Sequence, residues 1–563
     1  MKRLAWMGLI AAGVVVVANG CGSSKPDSGF GDTGDGGTGE GGNGDGGGDD
    51  GGGFDGNFNQ DSGDGGMHLS GDPTTCAEAA MFKTYMGCDY WPTVVANNVW
   101  SIFDYAVVVA NGQATPVTVT VTGNGQNQMV TIPAGGLDKI YLPWVASLKG
   151  PDTDNCGIAT PLPGSVKQAG GAYHLVASAP VTVYQFNALE YKGAGGPPGK
   201  NWSSCPGNQV CAQFGQAVGC FSFSNDASLL LPSTAMTNNY RVTGIHGWSL
   251  ANLGAYFAVT ATQDNTTVKI HVSGTGQIIA GGGIAATGAN GNTQFTLNAG
   301  DVAEILGGAT DQSDLSGSLV QSDKPVQVIA GVPCIQMPLG TQACDHVEES
   351  VFPAETLGKD YIVTTPTGPN GNTPGHVVRI YGNVDGTALT YSPNKPSGCP
   401  ATINAGQVVD CGVVNIDLRI KGDHEFGVGS FMLGGELQDP NAPVGMQKGD
   451  PSESNMVAIE QYRTKYIFLA PSDYDVSYVD IAGPTGVSVT LDGSPISATF
   501  NAIGATGYGV ARVRLGAGQN GAHSLTATKP VGIQVVGYGN YTSYQYPGGL
   551  DLQLIAPPPP PPH

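Results

Sequence analysis

One short phrase occurs three times in this chain, and it constrains the fold more than any other feature. It reads HLVASAPVTVYQF from His174, SLVQSDKPVQVIAG from Ser318 and SLTATKPVGIQVVGYG from Ser524. Each copy has a leucine, a serine or threonine, a proline, and then Val-x-Val or Val-x-Ile. The alternation after the proline is typical of a half-buried β-strand. The phrase therefore predicts that the same closing strand ends several similar modules.

Other fragments recur around the phrase. Four segments each hold two alternating strands with a polar turn between them, a pattern that predicts a β-hairpin. They are residues 103–123, 255–274, 376–392 and 477–493. The third of these is followed by a degenerate copy of the phrase, in which Glu425 takes the place of the proline. These patterns predict four units, at roughly 88–190, 228–333, 350–435 and 456–540.

Composition and unit length both favour β structure. The chain holds 88 glycines, and charged residues are only 12% of it, about half the usual share of ~25%. Each unit has about seven short strands in about 100 residues, which matches a β-sandwich. We therefore predict an all-β fold of tandem β-sandwich-like repeats. A β-propeller is the alternative, and it would need two blades of ~45 residues in each unit.

The first 21 residues predict export. Lys2 and Arg3 precede an apolar run from Leu4 to Val17, which is too short to span a bilayer but suits a signal peptide. The segment Ala18-Asn19-Gly20-Cys21 resembles a bacterial lipobox, so Cys21 is the predicted lipidation site. An ordinary secretory signal with an incidental cysteine is the alternative. We expect an exported protein, lipid-anchored to the bacterial outer membrane or cell surface.

A Gly/Asp-rich tract follows Cys21 and predicts a disordered tether. Residues 22–72 contain eleven acidic residues and one lysine, too few apolar residues to fold. Calcium binding by Gly-Asp repeats is the alternative, but the apolar residue that each such repeat needs is missing. The predicted divisions are 1–20 (signal peptide), 21–72 (tether), 73–227 (first repeat with a Cys-rich insertion), 228–349, 350–455 and 456–556 (further repeats), and 557–563 (polyproline tail).

Ten cysteines remain after Cys21, an even number for an exported chain. Close spacing predicts three local disulfides, which are Cys76–Cys88, Cys334–Cys344 and Cys399–Cys411. Cys156, Cys205, Cys211 and Cys220 allow three connectivities, which the sequence leaves open. Zinc is the alternative, but the chain lacks paired Cys-x2-Cys motifs.

The sequence motifs predict no catalytic residue, no metal ligand and no cofactor-binding residue, so no cofactor is expected. The nucleophile-elbow, zinc-protease and P-loop motifs do not occur. The densest polar cluster is Asp345, His346, Glu348 and Glu349. Carboxylates beside a histidine could bind a metal or perform acid–base catalysis. Their position between a predicted disulfide and a unit opening favours a structural role instead.

A second cluster lies near the C-terminus. Tyr538, Tyr541, Tyr544 and Tyr546 stand in the segment YGNYTSYQYPGG. Tyrosines grouped with serine and glycine are typical of contact surfaces, so these four are the predicted binding surface. A final strand with its aromatic residues on one face is the alternative.

The stretch CDHVEESVFPAETLGKDYIV, residues 344–363, resembles the IgGFc-binding protein N-terminal domain family. The matching positions are Cys344, Asp345, His346, Glu348, Glu349, Pro353, Leu357, Gly358, Lys359, Tyr361 and Val363. The segment GCDYWPTVVANN from Gly87 and the phrase SDKPVQVIAG are also similar to family elements, so the likeness extends over about 80–540. The resemblance implies a surface binding protein, and it supports fold and location more than a particular ligand.

The leading hypothesis is a non-enzymatic cell-surface lipoprotein that binds or adheres to an extracellular protein or glycan. No basic face for nucleic acid is visible in a chain of net charge −22, and the lipid anchor is the expected membrane contact. A passive structural envelope protein is one alternative. A carbohydrate hydrolase working through Asp345, His346 or Glu348 is another.

Overall fold

The structure is a computed structural model that describes residues 71–519 and 521–559. The predicted signal peptide, Cys21 and nearly all of the tether lie outside these residues. The all-β prediction is confirmed, because antiparallel sheets build the described body and its α-helices are short. None of the described helices has the length and apolar character needed to cross a membrane.

The first unit begins with a capped helix. The Thr75 side chain accepts the Glu78 N–H, and the Glu78 side chain returns to the Thr75 N–H, which satisfies two free donors of the first turn. The elements are α1 (Cys76–Phe82), β1 (Gly87–Tyr90), β2 (Tyr105–Ala110), β3 (Val117–Gly123), β4 (Gln126–Ile132), β5 (Leu137–Leu142), α2 (Ala146–Lys149), β6 (Val166–Gln168), β7 (His174–Phe186), a 3-10 turn (Pro206–Asn208), β8 (Val210–Cys211), β9 (Gln216–Ala217) and β10 (Ala227–Leu229).

The second and third units follow the same plan. The second has a 3-10 turn (Ser233–Ala235), β11 (Asn239–Arg241), β12 (Tyr256–Ala261), β13 (Thr266–His271), β14 (Asn292–Leu297), β15 (Val302–Leu306), β16 (Leu319–Ser322), β17 (Val326–Ile335) and β18 (Asp345–Ser350). The third has a 3-10 turn (Ala354–Thr356), β19 (Asp360–Val363), β20 (His376–Gly382), β21 (Thr387–Ser392), β22 (Thr402–Ile403), β23 (Val408–Val414), β24 (Leu418–Gly422), β25 (Phe426–Met432), α3 (Gly435–Gln438) and β26 (Glu453–Asn455).

The fourth unit ends the described body. It has a 3-10 turn (Ile459–Gln461), β27 (Arg463–Leu469), β28 (Val476–Pro484), β29 (Val489–Leu491), β30 (Ser494–Pro495), β31 (Asn501–Ala502), β32 (Tyr508–Arg514), β33 (Ala522–Gly539) and β34 (Thr542–Pro547). Residues 83–85 pair with residues 550–552 through the Tyr85 N–H to Leu550 and the Leu552 N–H to Lys83. This contact joins the beginning of the first unit to the end of the fourth.

The second and third units are each a sandwich of two sheets around an apolar core. In the second unit, one sheet has the order β11-β16-β13-β14 and the other β18-β17-β12-β15, with β6 added at its edge. The third unit repeats this with β19-β24-β21-β22 and β23-β20-β25-β26. Buried Val, Ile and Leu side chains from both sheets fill the space between them.

The predicted hairpins are wrong. In the second unit, β12 pairs with β15 and β17, whereas β13 pairs with β14 and β16. The two alternating strands therefore lie in opposite sheets and face each other across the core. In the third unit β20 and β21 likewise lie in different sheets. In the first unit β2 and β3 pair with different halves of β7, and in the fourth β28 and β29 pair with different halves of β33. Alternation shows which side chains face a core, but it does not show which strands are hydrogen-bonded.

The repeated phrase marks the strand that passes from one sheet of a unit to the other. In the first unit, β7 pairs with β3 before Pro180 and with β2 after it. In the second unit, Pro325 lies between β16 and β17, which belong to different sheets. Proline has no N–H to donate, and this is the point at which the strand changes its partners. We call β7, β16–β17, β24–β25 and β33 the closing strands.

The four units are arranged around a central axis in the manner of propeller blades, with one blade for each unit rather than the two that the alternative stated above would need. After each closing strand the chain turns back into a short inner strand, and the inner strands are β10, β18, β26 and β34. Each inner strand packs against the next, and β34 packs against β10. The sandwich modules thus close into a ring around these four strands.

Candidate functional site

The inner strands converge on one carboxylate at the centre of the ring. The Asp226 carboxylate accepts the backbone N–H of Ala227 at 2.9 Å, Glu348 at 3.1 Å, Glu453 at 2.8 Å and Gln545 at 3.5 Å. These four donors occupy equivalent positions, one on each inner strand. Burial raises the pKa of Asp226 well above its ordinary value, and the N–H donors of Glu453, Ala227 and Glu348 oppose that rise.

Further acidic side chains surround this centre. Asp345, Glu348, Glu349, Asp450 and Glu453 are each at most 1% exposed. Burial raises the pKa of Asp345, Glu349 and Asp450 well above the ordinary value, and raises the pKa of Glu453 to about 8. Burial at the centre of the ring thus favours the uncharged form of Asp345, Glu349, Asp450 and Glu453.

The residues of the hydrolase hypothesis lie inside this centre. Glu348 accepts hydrogen bonds from Asn187 Nδ2 at 2.6 Å and Ser228 Oγ at 3.0 Å, and its Oε2 lies 3.4 Å from His346 Nε2. Asp345, His346 and Glu348 all have an exposed fraction of 0%. A glycan cannot reach these side chains in this conformation, and their hydrogen bonds hold neighbouring units together.

The best-formed cavities of the described residues are small. One lies between the third and fourth units, lined by side chains such as Ile362, Met456 and Ile533, and its volume is about 10 Å³. That is the space of about one water molecule. A small-molecule site normally needs ~300–1,000 Å³, so these cavities do not provide one.

The surface at one end of the axis has a different character. We call the four connections between closing and inner strands the crossing loops, at 187–226, 336–344, 433–452 and 540–541. Disulfides Cys156–Cys211 and Cys205–Cys220 brace the first loop, and Cys334–Cys344 braces the second. Most of the cross-linking in this body is therefore concentrated at this end.

The crossing loops also bind one another. The Gly434 N–H donates to the Met337 carbonyl at 2.8 Å, and the Gln342 N–H donates to Glu436 at 2.9 Å. The third and fourth loops join through the Tyr541 N–H to the Gln447 carbonyl at 3.0 Å. The Thr542 hydroxyl lies 3.0 Å from Asn225 Oδ1, which returns to the first loop. The loops thus form one continuous face.

Large apolar side chains are exposed on this face. Fourteen are exposed among the described residues, and six of them lie in crossing loops: Val210 (65%), Phe214 (37%), Leu339 (42%), Leu437 (40%), Val444 (59%) and Met446 (66%). Such grouping of exposed apolar side chains marks interaction surfaces. These residues are not among the predicted site residues, although Val444 and Met446 stand beside turn-forming residues in the segment NAPVGMQ.

The crossing-loop face is also poor in charge. Among the exposed and half-buried side chains of this face, only Lys192, Lys200, Glu436 and Lys448 are charged. Lys200 and Lys448 are paired with Asp104 and Asp475. The exposed charge of this face therefore comes from three lysines and one glutamate, in a chain whose net charge is −22. Depletion of charge is typical of the cores of protein interfaces.

The predicted tyrosine surface is wrong. Tyr538, Tyr544 and Tyr546 have an exposed fraction of 0%, and Tyr541 has one of 4%. Tyr544 and Tyr546 pack into the core around the fourth unit, because β34 is an inner strand that is covered on both faces. The Tyr541 hydroxyl donates to Gln447 Oε1 at 2.9 Å and so supports the crossing loops from within.

The ten cysteines that the structure describes form five disulfides. Three join Cys76 to Cys88, Cys334 to Cys344, and Cys399 to Cys411, as the spacing favours. The other two join Cys156 to Cys211 and Cys205 to Cys220, one of the three connectivities that the sequence left open. Five disulfides indicate an oxidising, extracellular setting.

Comparison with known proteins identifies the family. Residues 226–537, more than half of the chain, match the model of the family described as IgGFc binding protein. The chain belongs to the IgGFc-binding protein family. It is 24% identical over 337 residues to the IgGFc-binding protein of Homo sapiens, which covers 58% of this chain and 6% of the human protein. Membership confirms the resemblance seen in the sequence and places the chain in a binding family.

Two solved structures show weak likeness at 12% identity and a TM-score of 0.10. One is an anti-sigma factor domain-containing protein from Clostridium clariflavum, with 55% of this chain and 81% of that chain covered. The other is described as a Ca2+-stabilized adhesin that helps an Antarctic bacterium reach out and bind ice, with 82% and 98% covered. At this TM-score neither likeness carries an argument about this chain.

Proposed function

We propose that this chain is a non-enzymatic, surface-tethered protein that binds an extracellular protein through its crossing-loop face. The observation that carries the proposal is that six of the fourteen large apolar side chains exposed among the described residues, Val444 and Met446 foremost, lie in crossing loops with few exposed charges. Aromatic and methionine side chains are enriched in the cores of protein interfaces.

Family membership supports binding as the activity, and the name of the human relative suggests the Fc part of immunoglobulin G as one protein to test. The chain spans 6% of that relative, so the partner of this chain is a proposal of its own. The predicted signal peptide and the lipidation of Cys21 would anchor the body at the cell surface, with the Gly/Asp-rich tract as a spacer.

The rigidity of the face favours binding over a passive envelope role. Disulfides brace the first two crossing loops, and hydrogen bonds join the third loop to the second and the fourth, so the loops are held in place before a partner arrives. A preorganised surface loses less conformational entropy on association. A structural envelope protein would need no such bracing at one end of the ring.

A matched pair of substitutions tests the proposal. Met446 and Met129 are similarly exposed, at 66% and 71%, but Met129 lies on β4, away from the crossing loops. Each is replaced by Asp in the full chain, and binding is measured to immobilised immunoglobulin G Fc, other extracellular proteins and a glycan array. We expect Met446→Asp to weaken protein binding by more than about tenfold, the scale of an interface hot spot, and Met129→Asp to leave it unchanged.

Equal binding by both variants would place the binding surface elsewhere. An absence of binding to every protein tested, together with envelope defects on deletion of the chain, would support the structural role instead. Binding to glycans alone would contradict the proposed class of partner.

A further inference from the structure

The first crossing loop contains a glycine-rich segment that begins and ends at the same place. Residues 194–204 read AGGPPGKNWSS and contain no helix or strand. On one side of the segment, the Gly193 N–H donates to the Cys220 carbonyl at 2.8 Å. On the other side, Cys205 is joined to Cys220 by a disulfide. We call residues 194–204 the glycine loop, and its two ends are fixed at Cys220.

Two side chains attach the glycine loop to the residues that precede β2. Lys200 Nζ donates to both carboxylate oxygens of Asp104, each at 2.8 Å. The Trp202 ring packs on Phe103 with 5.0 Å between the ring centroids, and its indole N–H donates to the Gly195 carbonyl at 3.1 Å. Phe103 has an exposed fraction of 0%, so the glycine loop takes part in covering it.

The glycine loop also covers the carboxyl group of Glu190, which is 1% exposed. A β-carbon on Gly196 would lie 3.4 Å from Glu190 Oε1 and 3.1 Å from Asp104 Oδ2, so the backbone rests directly on both carboxyl groups. Glu190 Oε2 accepts the Asp104 N–H at 3.2 Å. Glu190 Oε1 has no hydrogen-bond partner among the described residues. A buried oxygen without a donor makes the ionised carboxylate costly.

Two further groups face Glu190 from neighbouring elements. Asp473 is ion-paired with Lys139 of β5. A β-carbon on Gly195 would lie 3.7 Å from Asp473 Oδ1 and 4.0 Å from Glu190 Cγ. Tyr141, also on β5, has a pKa raised by burial and then by the charge of Glu190, so its phenol stays uncharged. Glu190 is thus surrounded by a neutral phenol and two carboxylates, each of which is already paired with a lysine.

The ionisation of Glu190 is therefore linked to the position of the glycine loop. Burial, followed by the charge of Asp104, raises the pKa of Glu190 from 4.5 to about 7. If the loop lifts and admits water, the pKa of Glu190 falls back toward its ordinary value. The closed loop holds the proton more tightly, so its advantage is complete below pH 4.5 and is lost as the pH rises to about 7.

We propose that the glycine loop is a pH-dependent lid, which is closed over Glu190 in acid and lifts in mild alkali as Glu190 ionises into water. The lifted lid uncovers Phe103 and frees the Trp202 ring, while the Cys205–Cys220 disulfide keeps the rest of the crossing loop in place. The crossing-loop face would then gain aromatic surface as the pH rises. This effect on binding rests on the proposed function, whereas the movement of the lid does not.

The test measures cleavage within residues 194–204 by a broad-specificity protease at about pH 5.5 and about pH 8.5. It uses the full chain with its disulfides, and mass spectrometry after reduction locates the cuts. The rate is divided by that of Glu190→Gln at the same pH, which removes the effect of pH on the protease. Glutamine still accepts the Asp104 N–H and cannot ionise, so this variant should stay closed.

We expect the ratio to be close to one at the lower pH and to rise by more than about tenfold at the higher pH. Cleavage follows the population of the open form when opening is fast, and each unit of pKa difference corresponds to a tenfold change in that population. The measurement needs no partner, so its failure would leave the comparison of Met446 with Met129 unaffected.

A pair of lysine variants tests the attachment of the lid. Lys200→Gln should speed cleavage several-fold at both pH values, because the contact with Asp104 is lost. Lys192→Gln is the matched control, since Lys192 lies in the same crossing loop but donates to the Tyr191 hydroxyl at 2.8 Å. Its rate should equal that of the unmodified chain.

Two results would overturn the inference. A ratio that does not rise between the two pH values would show that Glu190 does not control the glycine loop. Equal cleavage of Lys200→Gln and the unmodified chain at both pH values would show that the loop is not held down on Asp104.

Discussion

The phenol of Tyr361 donates a hydrogen bond to the backbone carbonyl of Phe426, with 2.6 Å between the two oxygen atoms. The same phenol accepts the N–H of Gly358 at 3.1 Å. This contact joins the first strand of the third unit to its closing strand. It recurs in the other units, between Tyr90 and Val181, Tyr240 and Val326, and Tyr466 and Val531. The repeated phrase is thus held by a repeated tyrosine.

Replacement of Tyr361 by Phe should destabilise the protein strongly for so small a change. Both the Gly358 N–H and the Phe426 carbonyl would be left without a partner in a buried place. We expect a loss of about 2–3 kcal/mol, since an unsatisfied buried group costs ~1–3 kcal/mol. The midpoint of denaturant unfolding measures this loss.

Tyr391→Phe is the control for this prediction. The Tyr391 hydroxyl makes a single bond to the Pro400 carbonyl at 2.6 Å and lies in a partly buried place, so its loss should cost less than about 1 kcal/mol. Equal losses for the two variants would show that the tyrosine contact does not hold the units together.

Asp226 should be intolerant of a neutral substitute. In Asp226→Asn, one carboxylate oxygen becomes an NH2 group that confronts backbone N–H donors now bound to that oxygen, such as those of Glu348 and Glu453. We expect a loss of about 3 kcal/mol or more, because one partner of a buried network is removed. Asp311→Asn is the control, since Asp311 accepts its bonds from Ser249 at an exposed site, and its calorimetric Tm should change little.

Much of this architecture could be predicted from the repeats. The recurring phrase indicates four similar units because a closing strand must meet the same demands in each of them. Local cysteine spacing favours the pairs Cys76–Cys88 and Cys399–Cys411, since short loops bring their ends together easily. Both features depend on nearby residues, which a sequence displays directly.

The closure of the ring could not be predicted from the sequence. Alternation along 542–547 suggests one exposed face, yet Tyr544 and Tyr546 are buried because β34 has neighbours on both faces. The importance of Asp226 is equally hidden. Its four donors lie up to 319 positions away from it in the sequence, and only the folded ring brings them together.

Glu304 should make the stability fall as the pH rises. Its carboxyl is 1% exposed and accepts the Ala96 N–H at 2.7 Å, and burial raises its pKa from 4.5 to about 8. The folded state therefore holds this proton more tightly than the unfolded chain. Its contribution is fully present below pH 4.5 and is lost as the pH rises to about 8.

Glu304→Gln tests this dependence. Glutamine keeps an oxygen for the Ala96 N–H and cannot ionise, so the variant should lose less stability than the unmodified chain between pH 5 and pH 8, by an amount on the order of 1 kcal/mol or more. The free energy of unfolding is measured across this range. Parallel curves for the two proteins would mean that Glu304 does not titrate differently on folding.

The Cys156–Cys211 disulfide should matter more than the Cys334–Cys344 disulfide. The first spans 55 residues and the second 10, so the loss of loop-closure entropy in the unfolded chain predicts about 4 kcal/mol for the first and about 3 kcal/mol for the second. The variants replace both cysteines of a pair by alanine, and calorimetry under oxidising conditions compares their Tm values.

The variant without Cys156–Cys211 should also be cleaved early by protease within residues 187–226. The part of this loop around Cys211, which includes Val210 and Phe214, is then no longer covalently joined to Cys156. Early cleavage at 336–344 in both variants, with 187–226 still protected, would show that hydrogen bonds such as Asn155 Nδ2 to the Val210 carbonyl suffice to hold the first crossing loop.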